Sequence, residues 1–441
     1  MGSPAHYNVI VIGGGASGLA AALSATRAGA RVAVLERDVA CGIKLLATGN
    51  GRCNLSNAHL DAAHYNRPEF VSAVMGPSPE DELERFFNSV GIVTTTEEDR
   101  LYPYSFKAES VRDALLAACR QLGIELICGA DVHRVAQRDD GLWNIRASVP
   151  AAPLKAKRQT DRKTTFRSLR KALEATALRD ISLSAESVII ATGGSTPMIA
   201  QELNVPYRPC SPVLCPVSAE AAGLPDALGM LDGLRAEALV TLRRDKQPLW
   251  SEEGEVLFRA YGISGVVAFN LSRRVQPGDT VLLDFFPHLD KDAFFRLLSA
   301  RTEVMGPFSY EDPSWFDGML APALAACACD AFRLCHPESS DVKHLVSILK
   351  HFKLNATGLA EQRSAQVMRG GIDTSAVDTN DLSLTSPGRK NLFACGEALD
   401  IDADCGGFNL SWAWLTGLRA GASAARAATA VSQPTRSKED R

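Results

Sequence analysis

The residues of this chain best suited to chemistry begin with Gly13, Gly15 and Gly18, set in Gly13-Gly-Gly-Ala-Ser-Gly18. That G-x-G-x-x-G spacing makes a tight turn, lets a pyrophosphate approach the backbone and allows close helix-on-strand packing. The run Asn8–Ile12 before it is short, apolar and β-branched, as a buried strand should be. From Ala16 to Ala28 the chain is rich in Ala and Leu, which predicts a helix. Its first N–H groups, at Ala16 and Ser17, would face the phosphates. A second strand, Arg31 to Leu35, ends at Glu36, 18 residues beyond Gly18, where an acid accepts from a ribose diol. A glycine-rich loop alone is weak evidence. Strand, glycines, helix, strand and acid in this order predict a dinucleotide site, although Glu36 followed by Arg37 does not tell FAD from NAD.

Three later segments point to FAD. Ser187-Val-Ile-Ile-Ala-Thr-Gly-Gly-Ser195 is a buried strand ending in a glycine turn, with Thr192, Gly193 and Gly194 as candidate contacts. Asn391-Leu-Phe-Ala-Cys-Gly-Glu397 is a third strand, and its Gly396-Glu397 pair suits a ribityl chain. Asp402-Ala-Asp-Cys-Gly-Gly-Phe-Asn409 follows, then a helix from Leu410 towards Ala428. Its positive end would face the flavin edge on which reduction deposits negative charge, making Asp404, Gly406, Gly407, Asn409 and Leu410 candidates. The small residues Gly417, Ala420, Gly421 and Ala424 would lie against Ala21, Ala22 and Ala25 of the first helix. A carboxy-terminal closure of this kind serves a flavoprotein and not an NAD dehydrogenase.

Near the flavin ring the expected groups lie in Thr48-Gly-Asn-Gly-Arg-Cys-Asn54. Thr48, Gly49 and Gly51 bring backbone N–H groups close, and Asn50 or Asn54 can bond the polar edge. Arg52 and Lys44 are read either as stabilisers of an anionic flavin or substrate or as members of structural ion pairs. Arg52 and Tyr104 are the catalytic candidates, with ordinary packing the alternative for Tyr102 and Tyr104. Cys53 reads as a packed small residue. Val132 completes the candidate cofactor contacts.

Gly42-Ile-Lys-Leu-Leu-Ala-Thr-Gly-Asn-Gly-Arg-Cys-Asn54 resembles the G-x-K-x-x-x-[ST]-G-x-G-R-C-N signature of BaiN/YhiN-type flavoproteins. Gly396 through Trp414 is similar to that family's carboxy-terminal signature, and the resemblance runs from about Asn8 to Gly421. The family includes proteins described as aminoacetone oxidases and others described as bile-acid enone reductases. Two departures fall where a substrate would be expected: a short Gly194-Ser-Thr-Pro-Met segment, and Phe258-Arg259-Ala260 in place of F-T-H. The resemblance therefore implies FAD and an oxidoreductase without carrying a substrate identity across.

These groups need a scaffold. A chain of 441 residues suggests two or three domains. The expected class is α/β: a discontinuous Rossmann-like FAD-binding domain over 1–204 and 354–441, a β-rich insertion over 205–288 and a small helical insertion over 289–353. With 46% hydrophobic and 22% charged residues the chain is globular, and a net charge of −4 calls for no nucleic-acid or membrane partner. No apolar run reaches the length of a membrane span and Met1–Asn8 has no leader pattern, so the expected location is the cytoplasm. Residues 151–180 carry nine Lys or Arg against three Asp or Glu, a net +6, read as a solvated insertion between paired strands. Phe166 alone supports nucleic-acid contact there. No metal site is expected: Cys327, Cys329, Cys335 and His336 lack paired ligand spacing, and Cys210 with Cys215 lies far from where flavin disulfide reductases carry their pair.

The leading functional expectation is a reductase that takes hydride from NADH or NADPH and passes it through FAD to an activated C=C of a small molecule. An oxygen-using amine oxidase that releases peroxide is the alternative. A flavin-holding sensor or RNA-modification component is the third. The sequence leaves the oligomeric state open.

Overall fold

The computed structural model describes residues 5–155, 162–194, 196–386 and 388–432. Residues 156–161 of the basic stretch, and Ser195 after the second glycine turn, lie outside them. The chain forms two compact units, one from Met1–Ser211 with Val367–Arg441 and one from Pro212–Gln366.

The first unit is built on a seven-stranded sheet in the order Glu125–Cys128, Val32–Glu36, Ala5–Ile12, Leu178–Ile190, Trp143–Pro150, Asp131–Gln137, with Leu392–Ala394 added beside Leu178–Ile190. The apolar run Val9 to Ile12 is fully buried, as a central strand covered on both faces requires. Ile12 lies level with Leu35 and with Ile190, and Ile190 with Ala394. Four parallel strands therefore end at one edge. The glycine loop, Glu36, the Ala191–Gly194 turn and Cys395–Gly396 all leave from that edge, the place where open α/β sheets bind ligands. Trp143–Pro150 pairs antiparallel with Leu178–Ile190, so the basic stretch is an insertion between paired strands, containing the helix Arg162–Ala175.

The first helix, Ala16–Arg27, and the last, Phe408–Ser432, pack against each other. A Cβ on Gly417 would come 2.4 Å from the Ser17 carbonyl oxygen, and one on Gly421 would come 2.2 Å from that of Ala21. Ser24 Oγ also donates to the Leu418 carbonyl at 2.7 Å. The atoms nearest the two glycines belong to Ser17, Ala20, Ala21 and Ser24, one stripe of the helix, and Ala21 is one of the three alanines expected there.

The second unit is a closed six-stranded barrel with helices attached. Its strands run in the order Val217–Ala221, Gly262–Ser264, Gln247–Arg259, Arg235–Arg244, Thr280–Asp284 and Phe352–Leu359. Phe352–Leu359 pairs with both Val217–Ala221 and Thr280–Asp284 and so closes the barrel. The expected return to the first unit at 354 is corrected to Val367, because the last barrel strand needs residues 352–359. The helices Lys291–Met305, Pro322–Cys335 and Lys343–Lys350 share an apolar cluster that includes Phe294, Phe316, Phe332 and Leu345. They belong to the same compact unit as the barrel instead of forming a separate subdomain.

Candidate functional site

At the glycine loop the three glycines have three different reasons to be glycine. Gly13 has φ +109° and a Cβ there would lie 2.3 Å from the Ala191 carbonyl oxygen. A Cβ on Gly18 would lie 1.9 Å from the Gly13 oxygen, so the helix could not sit down on its strand. Gly15 is extended, and a Cβ there would meet nothing within 4 Å. Nothing within the chain requires the middle residue to be glycine, and the open space in front of it has room for a pyrophosphate drawn up to the backbone. The first helical bond runs from Leu19 N to Gly15 O, so the N–H groups of Ala16, Ser17 and Gly18 precede the intrahelical ladder.

Glu36 accepts from Gly14 N at 2.6 Å through one oxygen and from Asp38 N at 2.7 Å through the other. A carboxylate has about four lone-pair sites, so each oxygen can still accept from a ribose hydroxyl. Ala130 N donates to the Glu36 carbonyl at 2.8 Å, which starts the next strand beside the acid. Val132 on that strand pairs with Ala147 and lines an open cleft of about 360 Å³ with His133, Met198 and Glu202. Arg37, beside Glu36, is exposed.

The two ends of the chain meet at the second half of the site. Asn54, with its amide turned to satisfy both partners, donates to Ser56 O at 2.8 Å and accepts from Gly407 N at 3.0 Å. Trp414 Nε1 donates to Leu55 O at 3.0 Å and Tyr65 OH to Phe408 O at 2.8 Å. Asn409 accepts from Ala403 N and donates to Ala403 O, both at 2.9 Å. The Asn54 side chain thus fastens Gly407 to the 54–56 segment, and the Asn409 side chain fastens Ala403 beneath the last helix. Gly407 N is tied up in the same way, while Ser411 N makes the first helical bond of that helix, to Gly407 O. The N–H groups of Phe408, Asn409 and Leu410 are left at the helix's positive end.

The loop 48–54 is bent through Gly49 at φ +54°, Asn50 at +53°, Gly51 at +83° and Cys53 at +57°. Non-glycine residues hold left-handed backbone at a cost of roughly 1–3 kcal/mol each, and such strain collects at binding sites. Asn50 is exposed at the apex, whereas Cys53 is fully buried and burial pushes its thiol up to about 11. Thr48 Oγ1 donates to the Leu45 carbonyl at 2.6 Å.

The charged candidates are engaged with the chain itself. Lys44 Nζ meets Glu397 at 2.6 Å, and the other Glu397 oxygen accepts from Met368 N at 2.7 Å. Glu397 also lies 3.4 Å from where a Cβ on Gly193 would be, so this bridge borders the second glycine turn. Gly194 is closed in by Met368, and Thr192 shares a hydrogen bond with Thr196 at 2.8 Å. Arg52 meets Glu97 at 2.6 Å and lies over the rings of Tyr102 and Phe106, 4.4 and 4.5 Å from their centroids. Tyr104, the other catalytic candidate, is 71% exposed.

Sequence reading missed a set of ion pairs around the 400–404 segment. The fully buried carboxylate of Asp402 takes two hydrogen bonds from Arg369, at 2.7 and 2.8 Å. Asp400 meets Arg67 at 3.0 Å and accepts from Gly370 N at 3.1 Å, while Asp404 faces His64 at 3.4 Å. The His64 ring stacks on Phe408, 4.1 Å between centroids. The alternating acids 400, 402 and 404 and the Gly370-Gly371 pair were the available signals. In the second unit, Arg259 pairs with Asp232 at 3.5 Å and lies against Tyr261, whose hydroxyl donates to Glu361 at 2.7 Å.

A glycine loop with an acid on the next strand, a second glycine turn and a closing helix from the far end of the chain define a Rossmann-type FAD-binding domain, and the protein is an FAD-dependent oxidoreductase. The chain belongs to the HI0933-like protein Rossmann domain family, whose profile matches residues 7–160 and 151–423. It is 29% identical to a 3-dehydro-bile acid delta(4,6)-reductase of Clostridium scindens over 94% of this chain and 98% of that one. It is 23% identical to a ribosomal RNA dihydrouridine synthase of Haemophilus influenzae, over 92% and 95% of the two chains. Among solved structures it is similar to an open flavocytochrome c3 fumarate reductase, with TM-score 0.47 and 15% identity, over 97% of this chain and 79% of that one. A 3-ketosteroid-delta4-(5alpha)-dehydrogenase from Rhodococcus jostii RHA1 gives TM-score 0.46 at 15% identity, over 96% and 97%.

Proposed function

We propose that the protein is an NAD(P)H-linked reductase that saturates a C=C conjugated to a carbonyl. The observation that carries this reading is the chemistry shared by relatives whose named substrates differ. A 3-dehydro-bile acid delta(4,6)-reductase acts on double bonds in line with a 3-oxo group. A dihydrouridine synthase saturates the uracil double bond beside a ring carbonyl. Both transformations add a hydride to the carbon remote from the carbonyl and a proton to its neighbour. Both match the chain over more than nine-tenths of its length.

Bound FAD supplies the two-electron chemistry; the chain's own residues hold and orient it. Ala16, Ser17, Gly18 and Glu36 hold the nucleotide half. The first turn of the last helix offers N–H groups to the flavin edge that becomes anionic. Lys44 and Glu397, paired at 2.6 Å, border the second glycine turn as an ion pair. Arg52, spread over Tyr102 and Phe106, is the group we assign to holding the polar end of an acceptor. A small enone is the favoured substrate class, in line with the more similar relative. An RNA base is the second reading, supported by the dihydrouridine synthases and by the +6 stretch at 151–180.

The test is anaerobic mixing of the purified protein with NADH, and separately NADPH, while flavin absorbance is followed. Bleaching by one of them, then recovery of colour on adding an α,β-unsaturated ketone, is the expected result. Flavin that stays oxidised with both nucleotides, yet bleaches with a primary amine and then makes peroxide in air, would replace the reductase by an amine oxidase. Bleaching with recovery only on addition of ribosomal RNA would move the substrate to the base.

A further inference from the structure

Behind the glycine loop lie two thiols that flavin binding does not use. Cys41 and Cys128 are 87 residues apart in the chain, and their sulfurs are 3.8 Å from each other. Both are free; Cys41 is buried and Cys128 half-buried. Cys128 ends the strand Glu125–Cys128 and lies level with Glu36 on the neighbouring strand. Cys41 Sγ sits only 2.5 Å from where a Cβ on Gly14 would be, and the next residue's amide, Gly42 N, donates to Gly14 O at 2.8 Å. Arg112 Nε donates to the Cys41 carbonyl at 2.8 Å. The Cys41 thiol is thus packed against the loop that takes the pyrophosphate, with its reactive neighbour on a fixed strand.

The two sulfurs are not equivalent. Either thiol can donate the S–H between them; for Cys41 the contact with Cys128 and burial both push its ionisation up. For Cys128 the hydrogen bonds with Cys41, helped by the Arg112 guanidinium, pull its ionisation down against burial and the Glu36 carboxylate. The thiolate is the nucleophile in cysteine oxidation, and Cys128 is the half-buried member of the pair that a peroxide can reach, so Cys128 reacts first and Cys41 resolves.

We propose that Cys41 and Cys128 are an oxidative modification site, closing to a disulfide with a hydroperoxide and thereby loosening FAD. The Cys128 thiolate attacks one oxygen of hydrogen peroxide, the O–O bond breaks, and Cys128 sulfenic acid and hydroxide result. Cys41 sulfur then displaces the sulfenic oxygen, which leaves as water with the Cys41 proton; two thiols are oxidised and one peroxide is reduced. The sulfurs must close from 3.8 Å to about 2.05 Å. Cys128 is held in the sheet, so the movement falls on Cys41 and Gly42. Gly42 carries the bond to Gly14, and the glycine loop moves with it.

Trypsin would place the two cysteines in separate peptides, residues 38–44 and 121–134, each with one cysteine. The experiment treats the FAD-loaded protein with hydrogen peroxide, alkylates, digests and weighs the peptides, and titrates FAD against the oxidised and reduced protein. The expected result is a linked 38–44/121–134 peptide and about a tenfold rise in the Kd for FAD, both reversed by dithiothreitol. Cys128→Ser and Cys41→Ala should each keep wild-type FAD affinity before and after peroxide. The proposal fails if wild-type protein gives no linked peptide under conditions that oxidise the exposed Cys335. It fails equally if the peptide forms and the FAD affinity does not change.

Discussion

Replacing Gly421 by alanine tests whether the two ends of the chain must touch for the flavin site to exist. The added Cβ would stand 2.2 Å from the Ala21 carbonyl oxygen and 2.9 Å from its carbon. A carbon–oxygen contact relaxes at about 3.3 Å, so the last helix must back away from the first by about 1.1 Å. The obstacle is backbone inside a helix, which cannot rotate aside as a side chain would. Overpacking of this kind costs about 3 kcal/mol, the upper part of its usual range. At about 2–4 °C per kcal/mol for a domain of this size, Tm should fall by about 6–12 °C. Both helices aim their positive ends at the FAD site, so a shift of this size should also weaken FAD by about tenfold. Circular dichroism melting of flavin-free protein and FAD titration read the two effects separately. Gly229→Ala is the control, since a Cβ there meets nothing within 4 Å. A Gly421→Ala protein that melts within about 2 °C of wild type would show that the helices do not pack as described.

Three further outcomes follow from the same contacts. Gly15→Val combined with Glu36→Ala should give a colourless protein with normal far-ultraviolet dichroism, because the space in front of Gly15 is filled and the loop loses the Glu36 acceptor for Gly14 N and Asp38 N, while the sheet is untouched. A full flavin complement in that variant would move the nucleotide site elsewhere. In the second unit, the buried Lys350 ammonium meets Asp284 at 2.8 Å and donates to the carbonyls of Phe286 and Leu289. Lys350→Ala and Lys350→Met should each destabilise by about 3–5 kcal/mol, as read by denaturant melting, because each orphans those acceptors; a Lys350→Met protein as stable as wild type would refute the ion-pair account. The Cys53 thiol, pushed up to about 11 by burial, should resist iodoacetamide at pH 8 while exposed Cys335 reacts. Its folded state holds a proton that the unfolded chain releases near pH 9, so its contribution to stability is lost as pH rises from about 9 to 11. Rapid alkylation of Cys53 in folded protein at pH 8 would contradict its burial.

The local chemistry of the first 36 residues was legible because each signal there is short in range. A β-branched run, three glycines at fixed spacing and an acid on the next strand act on neighbours within one turn or one strand pairing. The same holds for the second glycine turn and for the helix that begins near Gly407, and the strand Leu392–Ala394 sits where its composition placed it. Harder to read were the partners of charged and amide side chains. Lys44 and Glu397 are 353 residues apart, and Asn54 reaches Gly407 across nearly the whole chain. Nothing local in G-x-G-R-C-N says that its last residue will brace a distant turn, or that Arg52 will lie between Glu97 and two rings.

The domain boundary at 354 failed for a related reason. Phe352–Leu359 alternates buried and exposed residues as any strand can, and only its pairing with Val217–Ala221 and Thr280–Asp284 assigns it to the barrel. The sequence alone determined the glycine loop, the acid beside it and the last helix packed on the first, because backbone shape and helix polarity are written in nearest neighbours. Tertiary structure decided which charges neutralise one another, which asparagines serve the fold, and that Cys41 and Cys128 share a hydrogen bond behind the loop. Those outcomes depend on distances between segments far apart in the chain, which only packing brings together.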